Sequence, residues 1–242
     1  MNLFIQGILW AVDPANFGGV DGVGSRVLAH LLISFGVVAA ASAIAVPLGY
    51  IVGHTGRGRA LAIGTSGAIR ALPTLGLIIL LGLGIGIGLT APFLALVVLA
   101  IPSILAGAYA GFEAVDRGVV DAARAVGMTE WQIVTRVEMP LGLPLLIGGL
   151  RAASMQVIAT ATLAAYISGG GLGIFIFRGL KNGLNENGYP QMLAGSILVI
   201  LLAIASEILF STVQRLVVPA GVTAGRPQEV RAKSTWSRAA LG

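Results

Sequence analysis

From Ala71 to Phe112 the chain runs for 42 positions without a Lys, Arg, Asp or Glu. As one straight helix this run would measure roughly 63 Å at about 1.5 Å per residue, twice the roughly 30 Å hydrocarbon core of a bilayer. It must turn back on itself, most simply near Gly82–Pro92, where glycines are dense. Composition excludes a water-soluble home for it. Hydrophobic residues make up 56% of the chain and charged residues 10%, against about 25% charged in soluble domains, and the mean hydropathy is +0.93.

Spans of about 20 apolar residues can be drawn five times. The first is Leu28–Val52, with His30 at its outer end, in reach of lipid headgroups. The second starts near Ala60, the third covers about Leu89–Gly111, the fourth Leu141–Tyr166 and the fifth Met192–Leu216. The expected fold is therefore an all-α membrane protein of about five transmembrane helices. Met1–Val12 is too short to span and runs into Asp13-Pro14; without a basic leader or small-residue cleavage site, it is not expected to be a removable signal. The division is an extracytoplasmic or interfacial segment 1–27, a membrane domain 28–218 and a basic tail 219–242, expected to be disordered or to lie against anionic lipid.

Basic residues orient the bundle. Arg57, Arg59, Arg117, Arg124, Arg136, Arg215, Arg226, Arg231, Lys233 and Arg238 share one side of a five-span arrangement, ten of the 15 Lys and Arg. Arg26, Arg178 and Lys181 lie on the other side, and Arg70 and Arg151 fall within spans. The positive-inside bias puts the N-terminus outside and the central loop and C-terminus in the cytoplasm. The net charge of +5 thus reflects topology, and no nucleic-acid partner is expected.

One polar block separates the third and fourth spans. Arg117–Val126 reads as a short helix with Asp116 near its start, and Gly127 stands where a left-handed closing residue is wanted. Thr129-Glu130-Trp131-Gln132 has the form of a capping box that opens a second helix. Ala122, Ala123 and Ala125 form a low-profile face that a partner backbone can approach, flanked by the charges of Asp121 and Arg124. Asp-Ala-Ala taken alone reads more readily as a solvated amphipathic connector.

The full pattern is more specific. Asp121-Ala122-Ala123, Gly127 and Val137-Glu138-Met139-Pro140 together resemble the cytoplasmic loop signature of ABC importer permeases, Glu-Ala-Ala, Gly, then Ile-x-Leu-Pro. Asp121, Val137 and Met139 depart conservatively from it. The resemblance implies a type I importer permease core in which the loop, about 113–139, docks a coupling helix into a cytoplasmic ATPase subunit through Asp121, Ala122, Ala123, Gly127, Met139 and Pro140. Further stretches, among them His30-Leu31-Leu32-Ile33-Ser34, Arg70-Ala71-Leu72-Pro73-Thr74-Leu75, Gly149-Leu150-Arg151-Ala152-Ala153 and Ala161 to Gly173, look like permeases of osmoprotectant importers for glycine betaine, carnitine and choline. The likeness covers about Leu28 to Leu180. It implies an inner (cytoplasmic) membrane protein of a bacterium or archaeon, a second permease copy or paralogue, an extracytoplasmic binding protein, and ATP and Mg bound by the partner ATPase. Permeases for amino acids share the loop and architecture, so another small solute stays open.

Several residues within the spans are candidates for the pathway or its gate. Arg70 lies about ten residues into the second span, where a charge costs at least about 2.5–3.5 kcal/mol, and Pro73 frees a backbone carbonyl beside Thr74. A bent, water-facing element and a snorkelling arginine both fit. Arg151 is followed by Gln156 and Thr160 at helical spacing, and Glu207 is a candidate counter-charge. Trp10, Trp131 and Trp236 fall outside the spans, so no aromatic cage for a quaternary ammonium is evident, and recognition is expected in the binding protein. Gly169-Gly170-Gly171 reads as a flexible outer surface for that protein or as a plain turn. Gly82 to Gly88 lacks the strand and Lys-Ser/Thr of a phosphate loop, and reads as close packing or a tight outer turn.

No cysteine is present, and His30 and His54 stand on opposite sides of the first span, so neither a metal site nor a catalytic constellation is expected. From other classes, a secondary transporter would work without an ATPase, and a membrane scaffold would move nothing. Neighbouring genes for an ATPase and a binding protein separate all three.

Overall fold

The computed structural model describes residues 2–183 and 188–218; the basic tail 219–242 lies outside them. Eleven helices follow in chain order among the described residues: α1 (Leu3–Val12), α2 (Pro14–Phe17), α3 (Val23–Thr55), α4 (Arg59–Arg70), α5 (Thr74–Ile85), α6 (Thr90–Glu113), α7 (Arg117–Ala125), α8 (Glu130–Ile133), α9 (Met139–Thr160), α10 (Gly173–Asn182) and α11 (Gly188–Val217). A widened turn, Val134–Glu138, joins α8 to α9, and a 3₁₀ segment, Ala161–Ile167, continues α9. Among the described residues no strand occurs.

Among the described residues four apolar helical stretches are long enough to cross a bilayer, starting at Val23, Thr90, Glu130 and Gly188, and the α4–α5 pair makes a fifth if counted as one span. That pair is bent by 88°, so the second span is two half-length helices rather than a rod. The break falls at Ala71-Leu72-Pro73. Pro73 has no N–H to continue α4 and disfavours a helical conformation at the residue before it, and it stands as the N-cap of α5.

The core is three-helical. Ile33, Val37, Ala41 and Ala45 of α3 pack with Leu96, Ala100 and Ile104 of α6 and with Ala153 and Val157 of α9. Small residues let the backbones close up. A Cβ at Gly107 would stand 2.7 Å from Gly149 Cα, and one at Gly111 would stand 2.7 Å from the Gly142 carbonyl oxygen. Such approaches supply packing energy where lipid removes the hydrophobic drive between helices. Outward-facing Leu32, Leu80, Leu83, Ile200, Ile204 and Ile208 are exposed, the surface that a hydrocarbon solvent would cover.

α3 runs from the face opposite the central loop to the loop face. On the far face a second cluster joins Val23, Ile158, Leu172, Phe175 and Val199 with Trp10, so the short α1 is packed against the bundle. Two sequence expectations change here. His30 does not reach headgroups: it is fully buried, its Nδ1 accepts the Leu172 N–H at 3.2 Å, and Nε2 lies 2.9 Å from the Ile158 carbonyl. That pairing makes Nε2 the donor, a ring that ties α3 to α9 and the following loop. Gly169-Gly170-Gly171 likewise forms no loose outer surface, because Gly169 and Gly171 are buried. A Cβ on Gly171 would meet His30 Nδ1 at 2.8 Å. Gly169 and Gly171 allow close approach, while Gly170 and Gly171 take the left-handed conformation of a turn, φ +90° and +73°; the neighbouring Tyr166 is exposed.

The Gly82–Gly88 region ends α5 in a far-face turn, where the Gly88 N–H donates to the Ile167 carbonyl at 3.0 Å.

Candidate functional site

Local sequence chemistry closes α7 at both ends. Asp116 Oδ1 accepts the Gly118 N–H at 2.7 Å at its start. At its end Gly127 adopts φ +84°, its N–H donates to the Arg124 carbonyl, and the Met128 N–H donates to the Ala123 carbonyl. This pair of bonds is the Schellman closure, which favours glycine at the left-handed position. Thr129 and Gln132 then form the reciprocal capping box that starts α8.

The loop has a small core of its own. Val115, Val120, Ala123 and Ile133 are buried together, with Met128 and Val137 against them. Ala123 therefore belongs to the inward side and not to the low-profile outer face, because its position on the α7 turn points to Ile133. Asp121, Ala122 and Ala125 remain outward. Beside them Val119, Val126 and Trp131 are exposed, the last two by 79% and 75%. Apolar side chains held out by a polar helix pair leave exposed apolar surface of the kind found at interaction sites.

Charge organises the same surface. Arg124 forks onto Glu130, Nε to Oε1 at 2.8 Å and Nη2 to Oε2 at 3.1 Å, while its Nη1 reaches Asp121 Oδ1 at 3.1 Å. The Glu130 hydrogen bond, and then Asp121, raise the Arg124 guanidinium further above its ordinary range.

The signature's second half shapes the entry to α9. Pro140 lacks an N–H and its ring crowds the carbonyl four residues back. The chain answers with a wider turn in which the Met139 N–H bonds the Val134 carbonyl, a π-type register frequent at functional sites. Met139 and Pro140 are half-buried there, and Glu138 between Val137 and Met139 is fully buried. Its Oε2 lies 2.6 Å from His54 Nδ1, at the end of α3. Sequence reasoning missed this pair, for 84 positions separate its members. A lone Glu inside an otherwise apolar signature, facing a lone His at a helix end, was the available signal.

The pathway candidates separate. Arg151 of α9 pairs with Glu207 of α11, the counter-charge named from sequence. Gln156 donates from Nε2 to the Leu99 carbonyl and lies 3.3 Å from Ser103 Oγ, bridging α9 to α6. Thr160 donates to the Gln156 carbonyl of its own helix at 2.8 Å. Arg70 is exposed at the last position of α4, with Pro73 exposed and Thr74 half-buried at the bend. Arg70 and Arg59 line a cavity of about 430 Å³ with Ser66, Pro102 and Tyr109. Arg59 also pairs with Glu113 at 3.0 Å. The structure thus brings Arg151 to Glu207 and Gln156 to α6, and leaves Arg70 in a different place.

A helical membrane core carrying a capped helix pair on one face is the architecture of a type I ABC importer permease. The chain belongs to the family described as binding-protein-dependent transport system inner membrane component, whose match spans residues 45–219. It is 32% identical over 197 residues to a carnitine transport permease protein of Listeria monocytogenes, covering 81% of this chain and 88% of that one. It is 32% identical over 193 residues to a glycine betaine/carnitine/choline transport system permease protein of Bacillus subtilis, covering 80% and 87%. Its fold matches a chain of the inward-facing MetNI methionine ABC transporter with a TM-score of 0.70 at 22% identity, covering 80% and 95%.

Proposed function

We propose that this chain is the membrane subunit of an ATP-driven importer for a small osmoprotectant such as glycine betaine, carnitine or choline. An extracytoplasmic binding protein delivers the solute, and partner ATPase subunits on the central-loop side bind ATP and Mg and hydrolyse the nucleotide. The observation that carries the substrate class is the 32% identity, along about four-fifths of the chain, to permeases whose names carry those solutes.

The loop supports the coupling role. Asp121, Ala122 and Ala125 face outward beside the exposed Val126 and Trp131, so a groove in the ATPase can seat α7 while Gly127 fixes the angle to α8. The bent α4–α5 pair, with Arg70, Pro73 and Thr74 at its break, supplies the element that rearranges against α6 as the path opens. Arg151 and Glu207 hold α9 to α11 through that change. The distribution of Lys and Arg orients the loop and C-terminus to the cytoplasm and the N-terminus outside. A second permease copy or paralogue completes the path.

Uptake of labelled glycine betaine, carnitine and choline into proteoliposomes holding this chain, its ATPase and its binding protein tests the proposal. ATP-dependent uptake of one or more of them is expected. Uptake of methionine or histidine alone keeps the importer and rejects the osmoprotectant assignment; uptake without the ATPase rejects the importer.

A further inference from the structure

His54 stands in the last turn of α3 with each ring nitrogen facing a carboxylate from a different element. Nδ1 is 2.6 Å from Glu138 Oε2 in the widened turn, and Nε2 is 3.2 Å from Glu130 Oε2 at the start of α8. Glu130 in turn holds Arg124 of α7, and Arg124 holds Asp121. One continuous line of polar side-chain contacts thus runs Asp121–Arg124–Glu130–His54–Glu138. It leads from the exposed docking helix to a fully buried carboxylate at the root of α9.

The burial is uneven along that line. Asp121 is exposed, His54's side chain is 19% exposed, and Glu138's is 1% exposed. Glu138 Oε1 has no hydrogen-bond partner among the described residues. A buried carboxylate needs a hydrogen-bonded partner, and the His54 ring is the group placed on Glu138 Oε2. An imidazolium presents an N–H to both carboxylates, whereas a neutral ring turns a bare lone pair on one of them. α3 carries this histidine at one end and core residues Val37, Ala41 and Ala45 further along, so a pull on His54 acts on the helix that packs against both α6 and α9. Arg59 and Glu113 form a separate pair on α4 and α6, outside the line.

We infer that His54, through Glu138 and Glu130, is a positioning residue that couples movement of the docking helix to α3 and α9. The inference rests on the importer reading. It assigns His54 no contact with solute or nucleotide; its task is to make α7, α3 and α9 move as one body.

The test compares wild type, His54→Met, Glu138→Gln and the double variant His54→Met/Glu138→Met in proteoliposomes with ATPase and binding protein, reading melting temperature and solute imported per ATP hydrolysed. His54→Met is expected to lower both, because it strands the buried carboxylate. The double variant removes that charge and is expected to regain the melting temperature, while import per ATP stays about tenfold below wild type, a typical size for coupling between sites. Recovery of both in the double variant would make the pair purely structural and overturn the inference, as would wild-type import per ATP in both single variants. If the double variant does not assemble, the near-isosteric Glu138→Gln carries the same comparison. Absence of ATP-coupled import in the wild-type complex strikes the importer reading itself, a result distinct from these.

Discussion

At the level of single residues, Gly127 acts through its backbone conformation alone, φ +84°. No atom lies within 4 Å of where its Cβ would be, so a substitution there meets only backbone strain at φ +84°. Gly127→Ala is expected to weaken the closure of α7 by about 1 kcal/mol, and Gly127→Asn by less, since asparagine tolerates the left-handed region. Hydrogen exchange at the Met128 amide, which bonds the Ala123 carbonyl, reads both. Asp21 gives a different kind of expectation. Its carboxyl is held below the ordinary range by Arg26 first and then Arg178, joining the segment before α3 to α10. A lowered folded-state value contributes stability that is present above the unfolded value, near 4, and is lost as pH falls through the folded one. Acid below about pH 4 should therefore loosen α10, and Asp21→Asn should remove that dependence, measured by exchange over α10 at stepped pH. These pairings were only partly legible beforehand. Arg151 and Glu207 are charges in apolar surroundings and so point to each other, whereas His30 reads from sequence as a polar residue near a helix end. Its two backbone partners, Ile158 and Leu172, exist only once the far-face loop has folded over it.

At the scale of elements, the α6–α9 crossing is set by glycine. A Cβ on Gly149 would meet the Ser103 carbonyl oxygen at 2.8 Å and Gly107 Cα at 2.9 Å, whereas one on the adjacent Gly148 would meet nothing within 4 Å. Gly149→Ala should cost about 1–3 kcal/mol through overpacking, and Gly148→Ala should change stability little, as compared by thermal unfolding in detergent. Span existence was readable because charge-free length is a one-dimensional property. The break after Arg70 was signalled by Pro73, and the helix–glycine–helix of the loop by capping residues that act within a few positions. α10 was not readable: Arg178 and Lys181 interrupt its apolar residues, and the helix gains its place from Phe175 buried against Trp10 and Val199. The glycine pairing of α6 with α9 had a signal in Gly107 and Gly111, spaced four apart, but the partners Gly142 and Gly149 are defined only by the crossing.

At the scale of the whole molecule, a cysteine-free chain makes the membrane arrangement directly measurable. Val126→Cys is expected to react with an impermeant thiol reagent only from the cytoplasmic side, and Leu180→Cys only from outside; the reverse pattern would invert the proposed orientation. In the proposed importer, partner ATPases drive the permease core through the α7–α8 loop. The most direct test is solute-dependent ATP hydrolysis in proteoliposomes containing this chain, the ATPase and the binding protein, comparing wild type with Gly127→Pro, whose ring fixes φ near −65° against the +84° the loop requires. Hydrolysis and uptake are expected to rise together with an osmoprotectant in the wild type, and both to collapse in the variant while the membrane domain stays assembled. Unchanged coupled activity in Gly127→Pro would contradict coupling through the loop.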